Sequence, residues 1–187
     1  MKIIGFSGSP HPNGNTAWSV EQILNGASKV GANTRLLSAS ELDIKPCRGC
    51  FGCKNSNNGC VINDDMQMVY NELLDADAIV FGSPIYMGQM TGQAKLFLDR
   101  LFPTNSPTFS PFYKEQMKKK LILVLTQGNP DKAKFQTYIG YTKQMFEILD
   151  YDVMEPIIVP GTRATEAKGI SGLGESLRDI GAALLKE

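Results

Sequence analysis

The sequence lacks the features that mark several broad functional classes. Nineteen Lys and Arg balance nineteen Asp and Glu, so there is no basic field for nucleic acid and no acidic tail. Lys118-Lys119-Lys120 is the only basic cluster, and it reads as the solvated start of an apolar strand. No apolar run approaches the ~18–20 residues that span a bilayer. After Met1-Lys2-Ile3-Ile4-Gly5-Phe6 turn residues follow at once, so no signal-peptide core is expected and a cytoplasmic location is the default. His11 is the only histidine. It lies in a loop, which leaves no basis for a Ser–His–Asp set or a His/carboxylate metal cluster. No side-chain catalyst is assigned, and neither nucleic acid nor membrane is expected as a partner.

What is present is an ordinary globular composition, 42% hydrophobic and 20% charged over 187 residues. That length suits one domain of about 100–200 residues, and 1–187 reads as a single one. Apolar runs predict strands at Lys2–Phe6, Asn33–Ser38, Ala76–Phe81, Leu121–Leu125 and Val153–Val159. Helical spacing predicts helices from Asn15 or Thr16 to Val30, from Asp64-Asp65 through Leu74, over Thr91–Leu101, through Tyr141 to Leu149, and over Ser171–Leu185. The two acids at Asp64 and Asp65 suit the positive end of a helix dipole. Pro103–Pro111 reads as a loop, with Phe109, Phe112 and Tyr113 in or near it. Five alternations of strand and helix predict an α/β fold of three layers. Its five-stranded parallel sheet is expected in the order 2-1-3-4-5.

In that order ligands bind at the carboxyl ends of the strands, where the strand order reverses. Three loops should meet there. Ser7-Gly8-Ser9-Pro10-His11-Pro12-Asn13-Gly14-Asn15-Thr16 is rich in hydroxyls and amides and runs into a helix, a place suited to an anion. It contains no Lys or Arg and no Gly-Lys-Ser/Thr ending, so it fits a phosphate monoester held by neutral donors better than a nucleoside triphosphate with magnesium. Gly82-Ser83-Pro84-Ile85-Tyr86-Met87-Gly88-Gln89-Met90-Thr91-Gly92 puts apolar side chains at a strand end. They would pack on a flat aromatic ring, or form a contact between subunits. Thr126-Gln127-Gly128-Asn129 borders the same space.

The paired motifs Ser7-Gly8-Ser9-Pro10…Asn13-Gly14-Asn15-Thr16 and Gly82-Ser83-Pro84-Ile85-Tyr86 resemble the NADPH-dependent FMN reductase branch of the flavodoxin-like superfamily. The resemblance runs over nearly the whole chain. It implies a flavodoxin-like fold and FMN as cofactor. Ser7, Ser9, Asn13, Asn15 and Thr16 would bind its phosphate. Pro84, Ile85, Tyr86, Met87 and Gly88 would contact its ring and ribityl chain, with Thr126 and Gly128 nearby. It also implies a homodimer or homotetramer, with NAD(P)H or a ferredoxin-like protein as donor and a quinone, another small molecule or a redox protein as acceptor. A protein that only shuttles or senses electrons has the same signature.

All four cysteines fall in Cys47-x₂-Cys50-x₂-Cys53-x₆-Cys60. In a reducing compartment such a group is read first as metal or redox ligands. Four closely spaced thiolates suit zinc or an iron–sulfur cluster, and redox-active thiols are the third option. The motif resembles that of the iron–sulfur flavoproteins, which implies a [4Fe–4S] cluster near the flavin, with Cys47, Cys50, Cys53 and Cys60 as its ligands.

Overall fold

The computed structural model describes residues 1–55, 59–104 and 118–185. Most of the proline-rich stretch, with Phe109, Phe112 and Tyr113, lies outside them. The elements are β1 (Lys2–Ser7), α1 (Asn15–Lys29), β2 (Asn33–Ser38), α2 (Met66–Asp75), β3 (Ala78–Tyr86), β4 (Gln89–Met90), α3 (Gly92–Asp99), β5 (Lys120–Thr126), α4 (Gln136–Ile148), β6 (Asp152–Val153), β7 (Ile157–Val159) and α5 (Leu173–Ala183).

The expectation of five strands in the order 2-1-3-4-5 needs correction. The sheet has seven strands in the order β2-β1-β3-β5-β6, with β4 paired to β3 and β7 to β5. Only β4 is antiparallel. Two local causes account for the difference. The last predicted strand is broken: Val153 faces Leu121 and Ile157 faces Val124, so one edge carries an extra residue around Pro156. That is a bulge at a residue with no N–H to give to the ladder. The third strand does not stop at Phe81 but continues through Gly82-Ser83-Pro84 to Tyr86. Because β1 ends at Ser7, opposite Gly82, β3 is paired on one side only beyond that point, and proline is tolerated there. A turn at Met87 (φ 50°) and Gly88 (φ 84°) then returns the chain as β4. Two successive positive φ values are what a tight two-residue hairpin requires.

Strand β5 shows why the sheet is buried on both faces. Leu121, Leu123 and Leu125 point into one apolar layer with α2, α3 and α4. Ile122 and Val124 point into the other, with α1 and α5. A continuous apolar run is the sequence form of such a strand. In the first layer Phe6 stacks on Phe97 with centroids 3.8 Å apart, and Phe81 lies 5.5 Å from Phe6. In the second, α1 and α5 cross at backbone contact: a Cβ on Gly181 would lie 1.9 Å from the Ile23 carbonyl oxygen, and one on Gly26 would lie 1.9 Å from that of Arg178. Among the described residues no helix is long and apolar enough to cross a membrane.

The crossing predicts that Gly181→Ala forces the two helices apart. The expected loss is about 1–3 kcal/mol of stability, read as a lowered midpoint in urea unfolding. An unchanged midpoint would show that the helices separate without cost.

Candidate functional site

The three loops converge at the carboxyl edge of β1, β3 and β5. Ser9, Asn15 and Thr16 from the first, Pro84, Ile85 and Tyr86 from the second, and Thr126 and Gly128 from the third line one recess of about 160 Å³. His11, Gly14 and Thr162 complete it. A recess of that size takes a phosphate and the chain attached to it; a fused ring system needs the open mouth, where Tyr86 is half exposed and Met87 fully so. A larger hollow of about 920 Å³ lies at the opposite end of the sheet, between Leu74, Asp77, Lys119 and Leu185. It is at the amino ends of the strands, away from the point where ligands bind in open α/β sheets.

Hydrogen bonds tie the three loops to one another. The Gly8 amide donates to the Gly82 carbonyl at 2.7 Å. Thr91 caps α3 by accepting from the Ala94 amide at 3.0 Å, and its own hydroxyl donates to the Gly8 carbonyl at 2.5 Å. The Thr91 amide donates to Ser83 Oγ at 3.2 Å. Thr16 Oγ1 and Thr126 Oγ1 share a hydrogen at 2.7 Å across the floor of the recess. A Cβ at Gly8 would come within 2.5 Å of Ala94 Cβ, so the first loop passes where only glycine fits.

The start of α1 is prepared for an anion. Gly14, and not Asn15 or Thr16, is the residue that caps it, and no side chain accepts from its first amides. No acid lies in the first turn, so the free N–H groups and the helix dipole meet no competing negative charge. Ser9 Oγ accepts the His11 amide at 3.1 Å, which turns the loop and leaves the hydroxyl hydrogen available. Asn15 Oδ1 is already engaged by the Ala167 amide at 2.7 Å, so this side chain offers its NH₂ alone. Ser7 Oγ is buried and lacks a partner among the described residues. It sits at the end of β1 and does not line the recess. Asn13 is turned away, toward a smaller hollow with Trp18, Glu166 and Lys168. Met87 and Gly88 form the hairpin tip outside the recess.

The cysteines lie on the long connection between β2 and α2. Cys47 and Cys50 are exposed, Cys60 is half-buried and Cys53 is buried. Burial, and then the Cys60, Cys47 and Cys50 thiols, push the Cys53 thiol up. Phe51, between Cys50 and Cys53, is held in the left-handed region at φ 54°, a strained conformation of the kind that clusters at functional sites. Among the described residues no three His, Cys, Asp or Glu side chains are arranged to hold a metal ion. The donor chemistry fits a thiolate-ligated group, with all four thiols carried on one connection.

Sequence reasoning missed the side chains that join the loops. Thr91 stands in a recognisable cap position before α3, but its second bond to Gly8 has no local signature. Thr162 and His11 carried no signal beyond their place in loops.

The parallel sheet, the helices on both faces and the recess at the carboxyl edge define a flavodoxin-like α/β protein. Residues 1–159 match the model of the NADPH-dependent FMN reductase family, and the chain belongs to that family. An iron–sulfur flavoprotein of Methanosarcina thermophila is 36% identical over 161 residues, which is 86% of this chain and 78% of that protein. One from Methanocaldococcus jannaschii is 40% identical over 103 residues, 55% of this chain and 53% of that protein. The chain thus spans about half the length of some of the curated relatives it matches. In fold it is similar to an NAD(P)H:quinone oxidoreductase from Methanothermobacter marburgensis, with TM-score 0.72 and 14% identity over 98% of this chain and 96% of the other.

The loop ties predict that Thr91→Ala loses both the α3 cap and the grip on Gly8. The expected loss is about 1–2 kcal/mol of stability by thermal or urea unfolding, with most of it restored by Thr91→Ser. Equal loss in both variants would show that the hydroxyl is not what matters.

Proposed function

We propose that this chain binds FMN at the carboxyl edge of β1, β3 and β5 and acts as an FMN-dependent oxidoreductase. It takes electrons from NAD(P)H or a ferredoxin-like protein and passes them to a quinone, another small acceptor or a redox protein. The observation that carries this reading is the single recess formed by Ser9, Asn15 and Thr16 with Pro84, Ile85 and Tyr86 and with Thr126 and Gly128. Ser9, Thr16, the Asn15 NH₂ and the free amides of α1 hold the phosphate. Ser7 supports them from below, and Asn13, facing the neighbouring hollow, is left out of the phosphate site. Pro84, Ile85 and Tyr86 give the ring an apolar wall, and the tip at Met87 and Gly88 covers its edge. Thr126 and Gly128 close the far side. The bound flavin supplies the centre that accepts hydride and releases electrons, so the protein needs to bind, orient and exclude water.

The four cysteines are proposed as the ligands of a [4Fe–4S] cluster. The identity of the donors, their close spacing in sequence and the names of the relatives support this. The fully exposed Met87 and half-exposed Tyr86 support a homodimer or homotetramer in which a second copy covers the hairpin tip.

The test is anaerobic reconstitution with FMN, iron and sulfide. An absorption spectrum, an iron and sulfide assay and NAD(P)H oxidation with a soluble quinone are then measured on the same sample. Flavin bands, turnover and about four irons per chain, the content of a cubane cluster, are expected. Flavin with turnover but no iron would remove the cluster and leave the thiols; a colourless protein would overturn the FMN reading itself.

A further inference from the structure

The connection that carries the cysteines is fastened at its base by an ion pair sealed inside the protein. Arg100, just after α3, and Asp64, just before α2, have side chains that are 1% and 0% exposed. The guanidinium grips the carboxylate with two nitrogens, Nη1 to Oδ2 at 2.5 Å and Nη2 to Oδ1 at 3.0 Å. A forked pair of this kind fixes direction as well as distance. Both partners also hold backbone on either side of the cysteines. Arg100 Nη1 donates to the Lys45 carbonyl at 2.8 Å. Asp64 accepts the Lys45 amide at 2.9 Å and the Met66 amide at 3.1 Å. Lys45 precedes Cys47 and Asp64 follows Cys60, so one ion pair closes both stems of the segment. Outer bonds repeat the closure: Asp65 accepts the Asp43 amide at 2.7 Å, and Gln67 Nε2 donates to the carbonyls of Cys60 and Ile62 at 2.8 and 2.7 Å.

The pair is also tied to the apolar layer against which Cys60 packs. Tyr70, buried on α2, donates its hydroxyl to the Arg100 carbonyl at 2.9 Å. Cys60, half-buried, packs against the same apolar layer as Tyr70. Arg100 Nε is buried and has no partner among the described residues, an unmet donor that costs free energy unless an acceptor arrives.

We propose that Arg100 is the positioning residue of the cysteine segment: paired with Asp64, it locks the two stems together and so holds Cys60, next to the closing stem, at the base of the segment. The four thiols are then unequal. Cys60 is anchored at the base through its carbonyl, while Cys47 and Cys50 stand exposed to solvent. What the segment holds rests on the cluster reading above; how it is held rests on these contacts alone. A buried ion pair is a poor source of net stability, which suits a role in placement.

The experiment is alkylation of the reduced, FMN-loaded, iron-free protein with iodoacetamide, followed residue by residue by mass spectrometry. In the unaltered protein Cys47 and Cys50 react first and Cys60 late. Replacing both charges at once, Asp64→Asn with Arg100→Met, avoids leaving one charge buried alone. In this variant Cys60 is expected to react roughly tenfold faster or more, because its anchored base opens more readily. Cys47 keeps its rate and FMN stays bound, which a general loss of structure would not allow. Arg100→Lys keeps the charge without the fork and falls between the two; it also decides the matter if the double variant does not fold. An unchanged Cys60 rate in an FMN-loaded variant overturns the proposal. Iron uptake in a parallel reconstitution separates the two readings: an unaltered protein that takes no iron removes the cluster, while the order of thiol reactivity still tests the clamp.

Discussion

Everything at the candidate site depends on the unequal lengths of two paired strands. β1 ends at Ser7, opposite Gly82, while β3 continues to Tyr86. The gap beyond Ser7 is where the first loop turns away into α1, and the exposed flank of β3 becomes one wall of the recess. Had β1 run on beside β3, the ladder would fill that space. The polar loop on one side and the apolar strand end on the other give the site two unlike halves, one suited to an anion and the other to a flat apolar surface. Thr91, bonded to both Gly8 and the start of α3, keeps the halves in register.

The second device is electrostatic. Among the described residues the long connection after β2 has no strand or α-helix of its own, so its placement comes from contacts outside it. The Asp64–Arg100 pair does this by joining the residues before and after the cysteines to the end of α3. Burial works against the Asp64 charge, but the Arg100 hydrogen bond and the amides of Lys45 and Met66 prevail and hold its carboxyl below the usual carboxylate range. The pair is therefore ionised wherever the protein is folded near neutral pH. The two devices meet on α3, which starts at the Thr91 cap beside the recess and ends at the residue that grips the cysteine stems. FMN and a thiolate-ligated group would thus be set on one short rigid element.

Much of this was legible in the chain because it is written locally. A strand buried on both faces shows as an unbroken apolar run, and Leu121–Leu125 falls inside β5. Loops at strand ends show as clusters of Gly, Pro, Ser and Asn, and the three that were singled out do line one recess. What could not be read is set by partners distant in sequence. The passage of β3 through Pro84 depends on where β1 stops. Thr16 meets Thr126 across 110 positions. Asp64 read as a helix-dipole partner because its true partner, Arg100, is 36 residues away, and nothing near either residue announces a buried ion pair. The single bulge at Pro156, which splits the last strand, is a matter of register, and register is absent from periodicity.

The most direct measurement of the central claim is a comparison of FMN with riboflavin, which has the same ring and ribityl chain but no phosphate, by fluorescence titration of the flavin-free protein. If the α1 amides, Ser9 and Thr16 hold the phosphate, FMN binds at least about a hundredfold more tightly, the discrimination expected when several charge-assisted hydrogen bonds are lost together. Equal affinities for the two flavins would contradict the account, because the first loop would then have no part in recognition.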